Sequence, residues 1–568
     1  MKKLVSILLA LSLIFGMFAI TSVAADDELI VTVANDIHYN MLYTGRSVQK
    51  HNSISEDFFH VFPDDKMMQE GYAVIKAFLK EAGANESECL IFPGDLADTG
   101  KPEEAKIVAQ MFREFEATYK KQIYVVPGNH DYFNSTVAEF KEIYAEFGYN
   151  EAIAKHDKTA SYVADLPDGY RLLAIDSNTP GDGKHGINAE LESWVKEQCD
   201  KAKADGKKVF AMMHHNLLEH FILASTLHSG GVVGTNKYTF ADTLADGGVK
   251  YIFTGHTHDS DIASYTTESG SVIYDVVTPT LLTYQCPYRV VTFGEKTKLE
   301  ARGVSAIDTA DLPKGLSENA LALAESDFVE YTKKCTEVGL DGFFLTILNK
   351  NYLKSALKLQ DEEMNAVLDG VLDKLCEVLR MPIAKADETE EGKSLESLAE
   401  KYDVELPKTD YKSLVDLAIT FYMAHNNGDE NLPAYSDEVI LVSNGIAIAL
   451  GYALNDVTAE EYAKVMSFLV GLADVNIPVD FFLYAGDGIK RMEGIEIYIK
   501  FILVPLVREY AVDDAPADNN VTLPGYASAD APVDSEEESK SFFEKIKDFF
   551  DKIFEAIKTI FIFLPIGK

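Results

Sequence analysis

Cysteine is scarce in this chain: five in 568 residues, at Cys89, Cys199, Cys286, Cys335 and Cys376. The odd count leaves at least one thiol unpaired, and no two of the five form a CxxC pair. A zinc knuckle is thereby excluded, as is lipid attachment near the amino terminus, and the thiols are expected to be free or buried. Basic charge is short as well, with 52 Lys and Arg against 91 Asp and Glu and a formal net charge of -39. Such a surface repels polyanions, so nucleic-acid polymers are excluded as partners. Long uncharged runs are missing from the body of the chain. EIYIKFILVPLVREY is apolar, but Glu496, Lys500, Pro505 and Arg508 interrupt it, short of the roughly 20 nearly uncharged residues of a spanning helix.

What is present divides into segments. MKKLVSILLALSLIFGMFAITSVAADDE has the layout of a secretory signal peptide, with cleavage after Ala24 or Ala25, so residues 1–25 are read as a targeting segment and the mature chain as secreted or held on the extracellular surface. With 47% apolar and 25% charged residues the remainder is ordinary globular protein, too long for one core. From Leu29 to about Ile307, runs rich in Val, Ile, Phe and Tyr (LIVTVAND, CLIFPGD, QIYVVPGNHD, RLLAIDSN, KVFAMMHHN, KYIFTGHTH) alternate with helical spacing. KMMQEGYAVIKAFLKEAG and KPEEAKIVAQMFREFEATY show that spacing, the latter with Pro102 suited to a first turn. This βαβ rhythm predicts an α/β domain over residues 26–310. SVIYDVVTPTLL, YRVVTF and KLEARGVSAI are expected to extend its sheets.

Residues 311–510 are predicted to be mostly helical. Residues 511–540, poor in large apolar groups, read as an acidic flexible linker. In residues 541–568 an apolar stripe of Phe and Ile at helical spacing faces Lys, Glu and Asp, predicting an amphipathic helix suited to peripheral membrane contact.

Twelve of the thirteen histidines lie between His38 and His258, so imidazole chemistry belongs to the first domain. Five of the six apolar runs end in groups able to hold a metal. These are Asp36 and His38; Asp95; Asn129, His130 and Asp131; His214 and His215; and His256 and His258. Ligands in layered α/β folds gather beyond the carboxyl ends of strands, so these residues can converge. Gly94, Gly128 and Gly255 each precede one of them, where the backbone must turn sharply. The donors are oxygen and nitrogen without sulfur, a mixture suited to Mn, Fe or Zn. They are too many for one tetrahedral ion and enough for two sharing a carboxylate.

DIH, GDLADTG, GNHD, a strand ending in HH, and GHTH stand in that order. The set resembles the calcineurin-like metallophosphoesterase superfamily over roughly residues 29–307. The resemblance implies an αββα-type sandwich and a dinuclear phosphoric-ester hydrolase. Asp36, His38 and His258 would hold one divalent or trivalent ion, Asn129, His214 and His256 the other, and Asp95 would bridge them. It also implies attack on phosphorus by a metal-bridging hydroxide, with His130 donating a proton to the leaving group and Asp131 orienting His130. The substrate would be a small phosphate ester; a diester or a pyrophosphate is not separable from a monoester by motif. His215 is read as a packed neighbour, Asp176 as a turn or supporting group, and the loop after His38, with Arg46, His51 and His60, as surface beside the site. A non-catalytic binding protein on the same scaffold is the rival reading.

Overall fold

The structure, a computed structural model, describes residues 28–43, 56–178, 186–220, 233, 237–356, 362–387, 391–428, 432–433, 436–472, isolated positions between 491 and 507, and 516–526. The amino-terminal segment, Arg46, His51, and the amphipathic segment 541–568 lie outside the described residues.

The β-branched and aromatic runs form strands, as their side-chain shapes favour. β1 (Leu29–Val33), β2 (Cys89–Phe92) and β3 (Gln122–Val125) pair in parallel. β11 (Pro287–Phe293) lies antiparallel to β1 and is followed by β12 (Lys296–Gly303) and β13 (Asn520–Pro524), giving the order β13-β12-β11-β1-β2-β3. The second sheet comprises β4 (Ala154–Lys155), β5 (Tyr162–Asp165), β6 (Tyr170–Ile175), β7 (Lys208–Met213), β8 (Val249–Thr254), β9 (Asp261–Thr266) and β10 (Val272–Val277). Its order is β4-β5-β6-β7-β8-β10-β9, with β6, β7, β8 and β10 parallel.

The sheets pack face to face through aromatic side chains. Phe210 of β7 stacks on Phe293 of β11 at 4.8 Å between ring centroids, with Phe253 and Tyr251 around them. Each such buried ring contributes about 1.5–3 kcal/mol of transfer free energy. Helices Gly71–Ala84 and Pro102–Tyr119 bury Phe78 and Phe112 against the outer face of the first sheet, and Pro102 opens its helix as expected. Ala189–Ala204 and Lys237–Asp246 cover the second sheet through Leu191, Val195 and Phe240. The result is an αββα sandwich.

A run of helices from Glu318–Ser326 to Ala459–Leu472 follows, with apolar clusters of its own. It docks directly on the sandwich: Phe328, Tyr331 and Cys335 of helix Phe328–Ile347 belong to the first core. Among the described residues no helix is long and apolar enough to cross a membrane. All five cysteines are free and buried.

The carboxyl-terminal region departs from the expectation of a linker over 511–540. Asn520–Pro524 pairs antiparallel with β12, and Tyr526 donates to the carbonyl of Val209. The chain thus leaves the sandwich at β12 and returns to close its edge. Pro524 and two asparagines dilute the apolar signal, and Pro is tolerated at an edge where no ladder donor is needed.

Candidate metal centre

Strands β1, β2, β3, β7 and β8 end at the same pole of the sandwich, and their exit loops are stitched together by backbone hydrogen bonds. Asp36 N–H donates to Gly94 O at 3.3 Å and His38 N–H to Asp95 O at 3.0 Å. The turns are tight enough that Asp36, His38, Asp95, His256 and His258 all carry positive φ, between 36° and 69°. At Gly128 a Cβ would lie 2.1 Å from Asp95 Oδ1, so no side chain fits there.

Each carboxylate splits its two oxygens. Asp95 Oδ1 accepts the His130 N–H at 2.8 Å, while Oδ2 lies 3.3 Å from His214 Nε2 and 3.6 Å from His38 Nε2. Asp36 Oδ2 accepts the His256 N–H at 3.1 Å. Its Oδ1, fully buried and without a hydrogen-bond donor among the described residues, faces His258 Nε2 at 3.7 Å and His38 Nε2 at 3.8 Å.

The imidazoles are oriented from behind. His214 Nδ1 donates to Pro93 O at 3.1 Å and His258 Nδ1 to Asp65 Oδ2 at 2.7 Å. In the neutral tautomers that these bonds select, Nε2 of both rings turns its lone pair inward. His214 Nε2 meets Asn129 Oδ1 at 3.0 Å and His256 Nδ1 at 3.1 Å, and His258 Nε2 meets His38 Nε2 at 3.3 Å. Four imidazoles, an amide oxygen and two carboxylates crowded this closely, with Asp36 Oδ1 lacking a donor among the described residues, are better satisfied by a cation among them than by one another. The arrangement fits two metal ions. Asp36, His38 and His258 gather as one group, Asn129, His214 and His256 as the other, and Asp95 Oδ2 sits between them.

The charges follow from burial and proximity. Burial and the neighbouring His130 push His38 down to about 3, which keeps its imidazole neutral. Burial opposes the charge of Asp95, but His214, His130 and His38 outweigh it and hold the carboxyl well below the usual range.

Two expectations need correcting or refining. Asp131 does not orient the His130 ring. Its carboxylate accepts the backbone N–H groups of Leu96, Ala97 and Gly128 at 2.9–3.2 Å, tying the β2 and β3 exit loops together. Burial and Asp95 lift its pKa to about 7 despite those three donors. The His130 ring is held by Asp98, whose backbone carbonyl accepts from Nδ1 at 2.6 Å. A carbonyl only accepts, so Nδ1 carries a proton and Nε2 is the nitrogen able to exchange one with a ligand. Asp98 stands in GDLAD, three residues after Asp95, where the spacing alone does not show that its carbonyl turns toward His130.

His60 is buried away from the site, bound to Glu70 at 2.8 Å beside Tyr331. The loop after His38 still reaches the centre, through Asp65. His215 hydrogen-bonds Ser177 Oγ at 2.7 Å and packs against His256. Asp176 accepts from Tyr132, Ala160 and Asn178 within the core.

With this fold and donor set, residues 29–260 match the family model of calcineurin-like phosphoesterases. That part of the chain is a calcineurin-like phosphoesterase domain, a class of metal-dependent hydrolases. Among curated proteins the chain is 31% identical over 128 residues to a protein named "probable glycerophosphodiester phosphodiesterase" in Arcobacter nitrofigilis, covering 22% of this chain and 41% of that one. It is 26% identical over 180 residues to a cAMP/cGMP dual specificity phosphodiesterase of Mycobacterium tuberculosis, covering 31% and 51%. The chain thus spans about half the length of the curated relatives it matches. Among solved structures, a dimetal phosphatase from Danio rerio aligns over 49% of this chain and 96% of its own, at 11% identity and a TM-score of 0.35.

Proposed function

We propose that the chain is an exported, dinuclear-metal phosphoric-ester hydrolase acting on small phosphodiesters. The observation that carries the reading is the convergence of seven nitrogen- and oxygen-bearing side chains, with contacts of 3.0–3.8 Å between them. The curated relatives named above favour a diester over a monoester. When bound, two such ions would supply an activated water and the positive charge that polarises a phosphoryl group. With +4 from two divalent ions against Asp36 and Asp95, the loaded site would be locally cationic inside a strongly acidic protein.

This chain's own residues then have defined tasks. Asp36, Asp95, Asn129, His38, His214, His256 and His258 would hold the ions. His130, its Nδ1 fixed by Asp98, presents Nε2 toward the leaving oxygen and donates the proton there, a contribution of order 10²–10⁴ in rate. Asp131 keeps the loop bearing Asn129 and His130 in register with Asp95.

Metal analysis combined with hydrolysis of bis-p-nitrophenyl phosphate, p-nitrophenyl phosphate and cyclic nucleotides tests the reading. Two equivalents of Mn, Fe or Zn and a preference for the diesters are expected. A loaded protein that turns over none of them would favour the non-catalytic binding role. Export, proposed from residues 1–25, is checked by cell fractionation. Peripheral membrane contact through 541–568, proposed from its apolar stripe, is checked by co-sedimentation with anionic liposomes. Equal pelleting of the full chain and one lacking 541–568 would refute that contact.

A further inference from the structure

Helix Leu414–Asn427 begins at Ser413, whose hydroxyl caps Asp416 N–H, and stops at Gly428 in the left-handed region. Its apolar face buries Val415, Ile419 and Met423 against Leu340, with Tyr284 and the Tyr422 ring packed alongside. The last two turns of this helix lie on the segment that carries His258. Asn426 Nδ2 donates to His258 O at 2.5 Å, Ser260 N–H donates to His425 O at 3.2 Å, and His425 Nε2 lies 3.5 Å from Asp259 Oδ1.

One contact goes further. The Tyr422 hydroxyl donates to Asp65 Oδ2 at 3.0 Å, the same oxygen that accepts His258 Nδ1–H at 2.7 Å. Asp65 Oδ1 takes Lys66 Nζ at 2.8 Å. Two donors from two parts of the chain therefore converge on one carboxylate oxygen, and that oxygen sets which nitrogen of His258 keeps its lone pair.

We propose that the helical region is a positioning device for the metal centre, with Tyr422 acting through Asp65 to fix the His258 ring. The proposal rests on the metal reading above. A carboxylate behind a ligating histidine fixes its tautomer and raises its basicity, and loss of such a partner costs 10–100-fold in metal affinity as an order of magnitude. Tyr422 contributes by restraining the carboxylate: without its hydroxyl, Asp65 can rotate toward Lys66 and release His258. Tyr422 is a positioning residue, since its hydroxyl acts on His258 through Asp65. The geometry ties the helices to only one of the two ion positions, because His258 belongs to the group with Asp36 and His38.

The test is Mn²⁺ titration calorimetry on the full metal-stripped chain, with thermal melting alongside. Tyr422→Phe should weaken one of two binding events by roughly 3–10-fold and leave the other in place, and Asp65→Asn should weaken the same event by about 10–100-fold. The double variant should bind as Asp65→Asn alone does, because the hydroxyl acts through the carboxylate. Tyr331→Phe is the control. Tyr331 joins the same helical region to the sandwich through Glu70 at 2.8 Å, a carboxylate that is not one of the seven donors, so its loss should lower the melting temperature without moving either affinity. Wild-type affinities for Tyr422→Phe, equal weakening by Tyr331→Phe, or additive effects in the double variant would each overturn the proposal. A wild-type chain that takes up no Mn²⁺ would instead bring down the metal reading, and this inference with it.

Discussion

His130 and Asp95 stand in adjoining turns and do different things, which single substitutions separate. His130→Ala removes no donor from either group, so metal content should stay near wild type while turnover falls by about 10²–10⁴. Asp95→Ala removes the oxygen between both groups, so metal occupancy itself should drop. Elemental analysis beside a steady-state assay reads both, and an empty site in His130→Ala would refute the division. Asp131→Ala should behave as a stability variant. It orphans three buried N–H donors at a cost on the order of 1–3 kcal/mol each, visible as a lower urea midpoint even in metal-free protein. An unchanged midpoint would count against its role as a loop tie. The convergence of the candidate donors was legible in the sequence because each follows closely on a recognisable strand. The roles of Asp98 and Asp131 were not, because adjacency in GNHD says nothing about which way a carboxylate folds back.

Strands with a dense run of Val, Ile and Phe, such as KVFAMM of β7, were readable one by one, and their order along the chain placed the site. The strand Asn520–Pro524 was hidden, since its signal depends on a partner, β12, that lies more than two hundred residues earlier. Its importance shows at Arg289. That side chain is fully buried and donates to Asp518 O at 2.5 Å, Ser260 Oγ at 2.9 Å and Val277 O at 3.1 Å. A chain truncated after residue 511 loses the first of these acceptors together with the edge pairing. It should melt below the full chain, by on the order of 1–3 kcal/mol for the orphaned donor alone. Circular dichroism melts of the two chains decide the matter, and coincident curves would make the strand dispensable.

Over the whole molecule, pH should act on stability through a histidine that is not one of the metal donors. His220 is buried between Asp261 Oδ2 at 2.6 Å and Asp275 Oδ2 at 3.1 Å. Burial disfavours its charge, but Asp275 and Asp261 more than offset this and raise its pKa to about 10. The ordinary value is near 6.5. The folded state therefore holds this proton more tightly than the unfolded chain, and the stabilisation is complete below about pH 6.5 and lost as pH climbs toward 10. Wild-type melting temperature should fall across pH 7–10 more steeply than that of His220→Gln; parallel curves would exclude the linkage. The return of the chain to the sandwich has a geometric consequence. Tyr526 bonds Val209 near the start of β7, and Lys250 and Tyr251, near the start of β8, bond the carbonyls of Gly525 and Pro524. β7 then runs six residues to Met213 and delivers His214 at the far end, about 20 Å away at 3.3 Å per residue. Tyr526 thus sits at the pole opposite the metal donors. A support coupled at exposed Lys296, which pairs with Pro524 at that pole, should orient the molecule with its reactive mouth facing the solution, leaving immobilised protein open to bulky esters that a support at the other pole would shut out.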